Sequence, residues 1–145
     1  MKETCEDLCR RIREAPEPRE EVLDAYLFGS HALGRATDHS DVDLAVFTRP
    51  GAQYEVGGYG YAADLAAHLM AALGESRVDL VLLNDAAPLL YHRVLRDGVR
   101  VLSRDLPATT TREGYALSRY CDYLPQLRKI AEAAARRADA GEFGR

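Results

Sequence analysis

The stretch that most constrains the fold is Phe28 to Phe47, FGSHALGRATDHSDVDLAVF. A Gly-Ser pair, Gly29 and Ser30, is followed by ten residues and then by two carboxylates one residue apart, Asp41 and Asp43, which open onto the apolar run Leu44, Ala45, Val46, Phe47. At the head of a strand, Asp-Val-Asp puts both acids on one face, because side chains alternate with period 2. Two acids held together there repel, an arrangement that makes sense chiefly around a divalent cation. The preceding apolar run, Val22 to Phe28, stops at Gly29, where glycine lets the backbone turn sharply and come close to a ligand. Ser30 is placed to cap the next helix, whose free amides favour phosphate.

Charge and length narrow the partners. A formal net charge of -4 and a pI near 5.6 argue against direct nucleic-acid binding, since a protein that tracks phosphates usually carries a basic excess. At 145 residues the chain is expected to be one domain with a real core. No apolar run approaches the ~20 residues of a membrane span, and Lys2, Glu3, Glu6 and Asp7 leave no signal-peptide core, so the expected location is the cytoplasm. Cys5, Cys9 and Cys121 are read as reduced, partly buried thiols; Cys5 and Cys9 lie a helical turn apart without a nearby histidine, a poor zinc pattern.

Periodicity supplies the elements. Cys5, Leu8, Cys9 and Ile12 make Thr4 to Glu14 a short amphipathic helix ended by Pro16 and Pro18. Val22 to Phe28 reads as an internal strand, Ser30 to Arg35 as a short helix or turn leaving at Gly34, and Val42 to Thr48 as the second strand. Gln53 to Gly60 is read as a mobile connection. Tyr61 to Leu73 is a helix with the stripe Ala62, Leu65, Ala66, Leu69, Met70, Leu73 and a stop at Gly74. Arg77 to Leu83 is a third strand, Pro88 to Arg96 a helix, and Asp97-Gly98 turns into a hairpin-like strand, Val99 to Leu102. From about Arg112 to Asp139, Leu117, Tyr120, Leu124, Leu127, Ala131, Ala134 and Ala138 form one seam, with a kink or a break expected at Pro125. That seam either docks on its own sheet or uses a partner. The sum is an α/β (α+β) domain: a small mixed sheet of about four strands flanked by helices, with an N-terminal helix in 1–20, a core in 22–104 and a C-terminal helical region in 110–140.

Asp79 is the only charge inside its apolar strand. Lone carboxylates are seldom buried without a partner or a metal, so Asp79 is the natural third member beside Asp41 and Asp43. Other candidates carry competing readings. His31, His39, His68 and His92 are read mainly as solvent-exposed, although His31 and His39 lie where phosphate would pass. Tyr54, Tyr59 and Tyr61 either pack or stack on a base.

Gly-Ser, a spacer, then Asp-x-Asp resembles the nucleotidyltransferase superfamily signature, and the ten-residue spacer resembles its minimal branch. Further on, Val-Asp-Leu-Val-Leu-Leu-Asn-Asp-Ala-Ala-Pro-Leu-Leu and Val-Leu-Arg-Asp-Gly-Val-Arg-Val-Leu are similar to the downstream half of small antitoxins paired with HEPN-domain toxins. The likeness runs from about Val22 to Arg104. It implies the nucleotidyltransferase fold, one or two Mg²⁺ held by Asp41, Asp43 and Asp79, and ATP as substrate, its triphosphate cradled by Gly29 and Ser30. Arg35 is the group assigned to the γ-phosphate charge, because basic residues that family members often carry just after Gly-Ser are replaced here by His31 and Leu33. The implied activity is transfer of AMP to a tyrosine of a HEPN RNase toxin, which silences it. The alternatives are a non-catalytic antitoxin that occludes its toxin, and a small-molecule nucleotidyltransferase.

Overall fold

The structure is a computed structural model and describes residues 4–52 and 60–141. Tyr54, Tyr59 and nearly all of the connection from Gln53 lie outside the described residues.

Helix α1, Cys5–Glu14, is capped by Thr4, whose hydroxyl accepts from the Asp7 amide at 3.1 Å. Acids in its first turn and arginines in its last suit the helix dipole. Strand β1, Val22–Phe28, then runs antiparallel to β2, Val42–Thr48, with the one-turn helix α2, Gly29–Ala32, between them. Helix α3, Tyr61–Leu73, leads to β3, Val78–Leu82, which lies parallel to β2. Helix α4, Pro88–Asp97, precedes β4, Val99–Ser103, and the long helix α5 spans Leu106–Asp139. The sheet order is β3-β2-β1-β4, so β1 is internal.

Alternation along the central strands feeds two cores. Val42, Leu44 and Val46 join Leu8 and Ile12 of α1 and Leu65, Leu69 and Leu73 of α3 on one face. Tyr26 and Ala45 join Tyr91 and Val94 of α4 and Ala116 of α5 on the other. A register shift between Val22 and Asp24 lets Val22 and Leu27 share a face and turns Asp24 towards the α4–α5 layer. Among the described residues no helix is long and apolar enough to cross a membrane.

Several details differ from expectation. In α3 the buried positions are Tyr61, Leu65, Leu69 and Leu73, at strict four-residue spacing, while Ala62 is exposed and Ala66 and Met70 are half-buried. β4 is no hairpin: Gly98 ends α4, and the strand pairs with β1 across the sheet. α5 begins six residues earlier than its seam suggests, because Asp105 caps it by accepting from the Ala108 amide and Pro107 sits in the first turn, where a missing N–H costs nothing. It runs as one helix through Pro125; both Pro125 and Cys121, whose carbonyl the ring leaves unpaired, are exposed to water.

The seam splits. His92 of α4 stacks on Tyr120 at 3.7 Å between ring centroids, whereas Leu117 is 44 % exposed and Ile130 56 %. Beyond Leu127 every described position of α5 except Ala133 is exposed, so the distal turns of a helix about 51 Å long do not dock on their own sheet.

What holds the proximal part is a buried polar network that periodicity does not reveal. Asp24, 0 % exposed in mid-β1, accepts from Arg112 Nε at 2.8 Å and Nη2 at 2.9 Å and from the Thr109 hydroxyl at 2.6 Å. The same guanidinium lies over the Phe47 ring at 4.9 Å. Beside it, Tyr26 donates to Glu113 at 2.7 Å, and Arg100 pairs with the same carboxylate oxygen at 2.8 Å. Burial and the Glu113 bond push the Tyr26 hydroxyl well above its ordinary pKa.

Candidate active site

Strand pairing assembles the site at the head of the sheet. Asp43 opposes Phe28 on the antiparallel side and Asp79 on the parallel side, so the register puts two carboxylates on neighbouring strands at one level. Asp41, two residues earlier and just ahead of β2, adds its charge to the surroundings of Asp43. The Asp43 carboxyl is raised above its ordinary pKa by partial burial first, then by the charges of Asp79 and Asp41, while His31 opposes the rise. The four groups therefore occupy one electrostatic neighbourhood. Asp79 is not buried, contrary to the premise that singled it out: β3 is an edge strand, and the side chain is exposed, as is that of Asp41.

The turn into the site is built around Gly29. Its φ of +70° lies in the left-handed region, and a Cβ placed on it would come within 2.9 Å of Asp43 Cγ and closer still to Oδ2. The bare backbone thus abuts the carboxylate with no room for a side chain. Gly29→Ala is expected to cost about 1–2 kcal/mol from the left-handed conformation alone, and also to push Asp43 out of line. A chemical melt together with a nucleotide-binding titration would show both losses.

Ser30 lies inside α2 rather than at its cap; the N-cap is Phe28, without a side-chain hydrogen bond. Among the described residues the Ser30 hydroxyl has no hydrogen-bond partner, and its carbonyl accepts from the Arg35 amide at 2.9 Å. The Arg35 side chain is exposed and pairs with none of the three acids among the described residues. The spacer closes on itself, with the Thr37 amide donating to the Ser40 hydroxyl at 2.8 Å. Arg77 pins this loop from outside: its guanidinium donates to the His39 carbonyl at 2.9 Å, and its own carbonyl accepts from the Val42 amide at 2.9 Å. Arg77 precedes β3 rather than opening it, and it ties the loop before β2 to the start of β3.

The other candidates resolve differently. Tyr61 is 1 % exposed and donates to Glu21 at 3.1 Å, so it belongs to the core and not to a base-stacking surface; burial, with Glu21, holds its hydroxyl at a pKa of about 12. Of the histidines only His39 is exposed: His68 Nε2 lies 3.0 Å from the Ala15 carbonyl, His92 stacks on Tyr120, and His31 Nε2 is buried without a partner. Cys5, Cys9 and Cys121 are free thiols, but only Cys9 is partly buried. A cleft of about 630 Å³ opens on the α1 side, lined by His31, Gly34, Thr37, Ser40, Val42 and Leu8 among others, and none of the three acids lines it.

Among the described residues no three His, Cys, Asp or Glu side chains converge tightly enough to cage a metal ion unaided. Mg²⁺ does not require such a cage. It takes hard oxygen ligands, keeps several waters, and is commonly bound by one or two carboxylates plus substrate phosphates. The donor set here, carboxylates only, open on one side and backed by a glycine turn too tight for a Cβ, fits an ion shared with a phosphate.

Carboxylates paired across a mixed sheet beside a glycine turn suit metal-assisted chemistry on phosphate groups. The chain matches the polymerase beta nucleotidyltransferase family over residues 10–106, two thirds of its length, and belongs to that family. A minimal nucleotidyltransferase of known structure is 30% identical, matching 67% of this chain and 95% of that one with a TM-score of 0.53. A chain from a toxin–antitoxin crystal structure with AMP-PNP superposes with a TM-score of 0.70 at 23% identity, over 88% of this chain and 98% of that one. A chain from a tri-AMPylated Shewanella oneidensis HEPN toxin in complex with its MNT antitoxin gives 0.62 at 21%, over 90% and 95%. These last two likenesses speak to the fold. No curated protein sequence matches the chain.

Proposed function

We propose that this nucleotidyltransferase is an antitoxin that transfers AMP from ATP to a tyrosine of a cognate HEPN RNase toxin, in the cytoplasm and with Mg²⁺. The observation that carries the reading is the Asp43–Asp79 register with Gly29 pressed against Asp43, which suits a metal-nucleotide site and little else. AMP-PNP in one structural relative and an AMPylated HEPN toxin in another support the choice of nucleotide and acceptor.

In this reading Asp41 and Asp43 hold the metal, and Asp79 completes the set on the side of the attacking hydroxyl. Mg²⁺, when bound, neutralises phosphate oxygens and lowers the pKa of the attacking hydroxyl. Gly29 and Ser30 receive the triphosphate. The tyrosine oxygen attacks the α-phosphorus in line, the bond from that phosphorus to the bridging oxygen breaks, and pyrophosphate leaves with the electron pair. Asp79 takes the tyrosine proton. The exposed distal half of α5 favours a second contribution, stable complex formation with the toxin.

The test is the intact mass of the toxin encoded beside this protein after incubation with each NTP and Mg²⁺. A gain of one or more AMP masses with ATP is expected. An unchanged mass, with an Asp41→Asn, Asp43→Asn double variant still neutralising the toxin, would replace catalysis by occlusion.

A further inference from the structure

We propose that His31, rather than Arg35, is the side chain that binds the nucleotide's polyphosphate at the Gly29–Ser30 turn, donating from Nε2. The proposal rests on the transferase reading and extends it to a residue outside the acids.

The first ground is an unmet hydrogen bond. His31 Nε2 is buried and has no partner, although almost every buried polar atom in a folded protein has one. An orphan of this kind weakens the free protein, and it persists where a ligand supplies the missing partner. The second ground is position. His31 follows Gly29-Ser30 directly inside α2, next to the turn whose backbone abuts Asp43. It also walls the cleft with Thr37 and Ser40, which gives a ligand access from the α1 side. The third ground is the lack of a competitor. Arg35 is exposed and, among the described residues, contacts none of the acids; there its polar link to the turn is its backbone amide on the Ser30 carbonyl.

Polyphosphate is favoured over ribose or base because the adjacent turn, with its glycine and its unpaired serine hydroxyl, suits phosphate oxygens. A neutral imidazole with its hydrogen on Nε2 is enough to donate, and protonation would strengthen the bond.

The experiment compares wild type, His31→Leu and His31→Gln, measuring melting temperature without nucleotide and, with Mg²⁺, affinity for ATP, inorganic tripolyphosphate and adenosine. His31→Leu is expected to melt at or above the wild-type temperature, since it removes a buried unpaired group, and to lose about tenfold or more in affinity for both ATP and tripolyphosphate. Adenosine binding should not change. His31→Gln, which keeps a donor, should recover part of the loss, and it serves as the working variant if the leucine protein does not fold. Unchanged affinity for ATP and tripolyphosphate in both variants, a loss confined to adenosine, or a lowered melting temperature in both variants overturns the proposal. A wild-type protein that binds no ATP with Mg²⁺ removes the transferase reading, and this proposal with it.

Discussion

Asp43→Asn is expected to abolish nucleotidyl transfer while raising the melting temperature of the free protein at neutral pH. The two effects share one cause. The wild-type carboxyl is destabilised in the folded state by partial burial and by the charges of Asp79 and Asp41, which raise its pKa above the ordinary 3.8. A group whose folded pKa exceeds its unfolded value binds its proton more tightly when folded. The folded state is then favoured at low pH, and stability falls as pH rises through the window that begins near 3.8 and ends at the raised folded value. Asparagine has no charge to lose. The gap between variant and wild-type melting temperatures should open across that window and stay constant towards neutrality. The activity loss should be on the order of 10³-fold or more, because a neutral amide is a far weaker ligand than a carboxylate for the cation that offsets the developing phosphate charge. A variant that melts below wild type at neutral pH, or that retains transfer, would show that Asp43 is not a strained ligand held for catalysis.

Asp24→Ala is expected to give the largest loss of stability among single changes in this chain. The carboxylate is fully buried and accepts two bonds from Arg112 and one from Thr109, so its removal leaves the guanidinium without its counter-charge, while the hydroxyl keeps the Asp105 carbonyl and Ser103. Breaking a buried pair from one side costs about 3–5 kcal/mol, or about 10–15 °C in melting temperature for a chain of this size. Replacing both partners, Asp24→Leu with Arg112→Leu, should restore most of that loss, since well-packed apolar groups can substitute for a buried pair. Urea melts of the single and double variants would check this. If Asp24→Ala alone costs under 1 kcal/mol, the network is not what anchors α5 to β1.

The two acids that sit inside apolar strands show how far residue-level reasoning reaches. Asp24 in Val-Leu-Asp-Ala-Tyr and Asp79 in Arg-Val-Asp-Leu-Val present the same local picture, a carboxylate in a strand. Yet Asp79 is exposed on an edge strand, and Asp24 is the buried one that needs a partner. The partners of Asp24 lie 85 and 88 positions away, in a helix whose first turns carry no strong apolar period, and no local signal links them. Of the two readings open for Tyr61, packing or stacking on a base, packing holds: Glu21 accepts from its hydroxyl and Arg19 lies over its ring.

Local chemistry alone determined most element positions and set Gly29, Asp41 and Asp43 in one stretch. Gly29 can end β1 in a left-handed turn because it lacks a Cβ, and Asp-Val-Asp must face one way because strand geometry has period 2. Strand order and register were decided only in three dimensions. The pairing of Asp43 with Asp79 joins strands separated by a helix, and a one-residue slip would turn Asp79 to the opposite face. Two packed cores and the Arg77 clamp exclude that slip, and they act through contacts that exist only once the chain has folded.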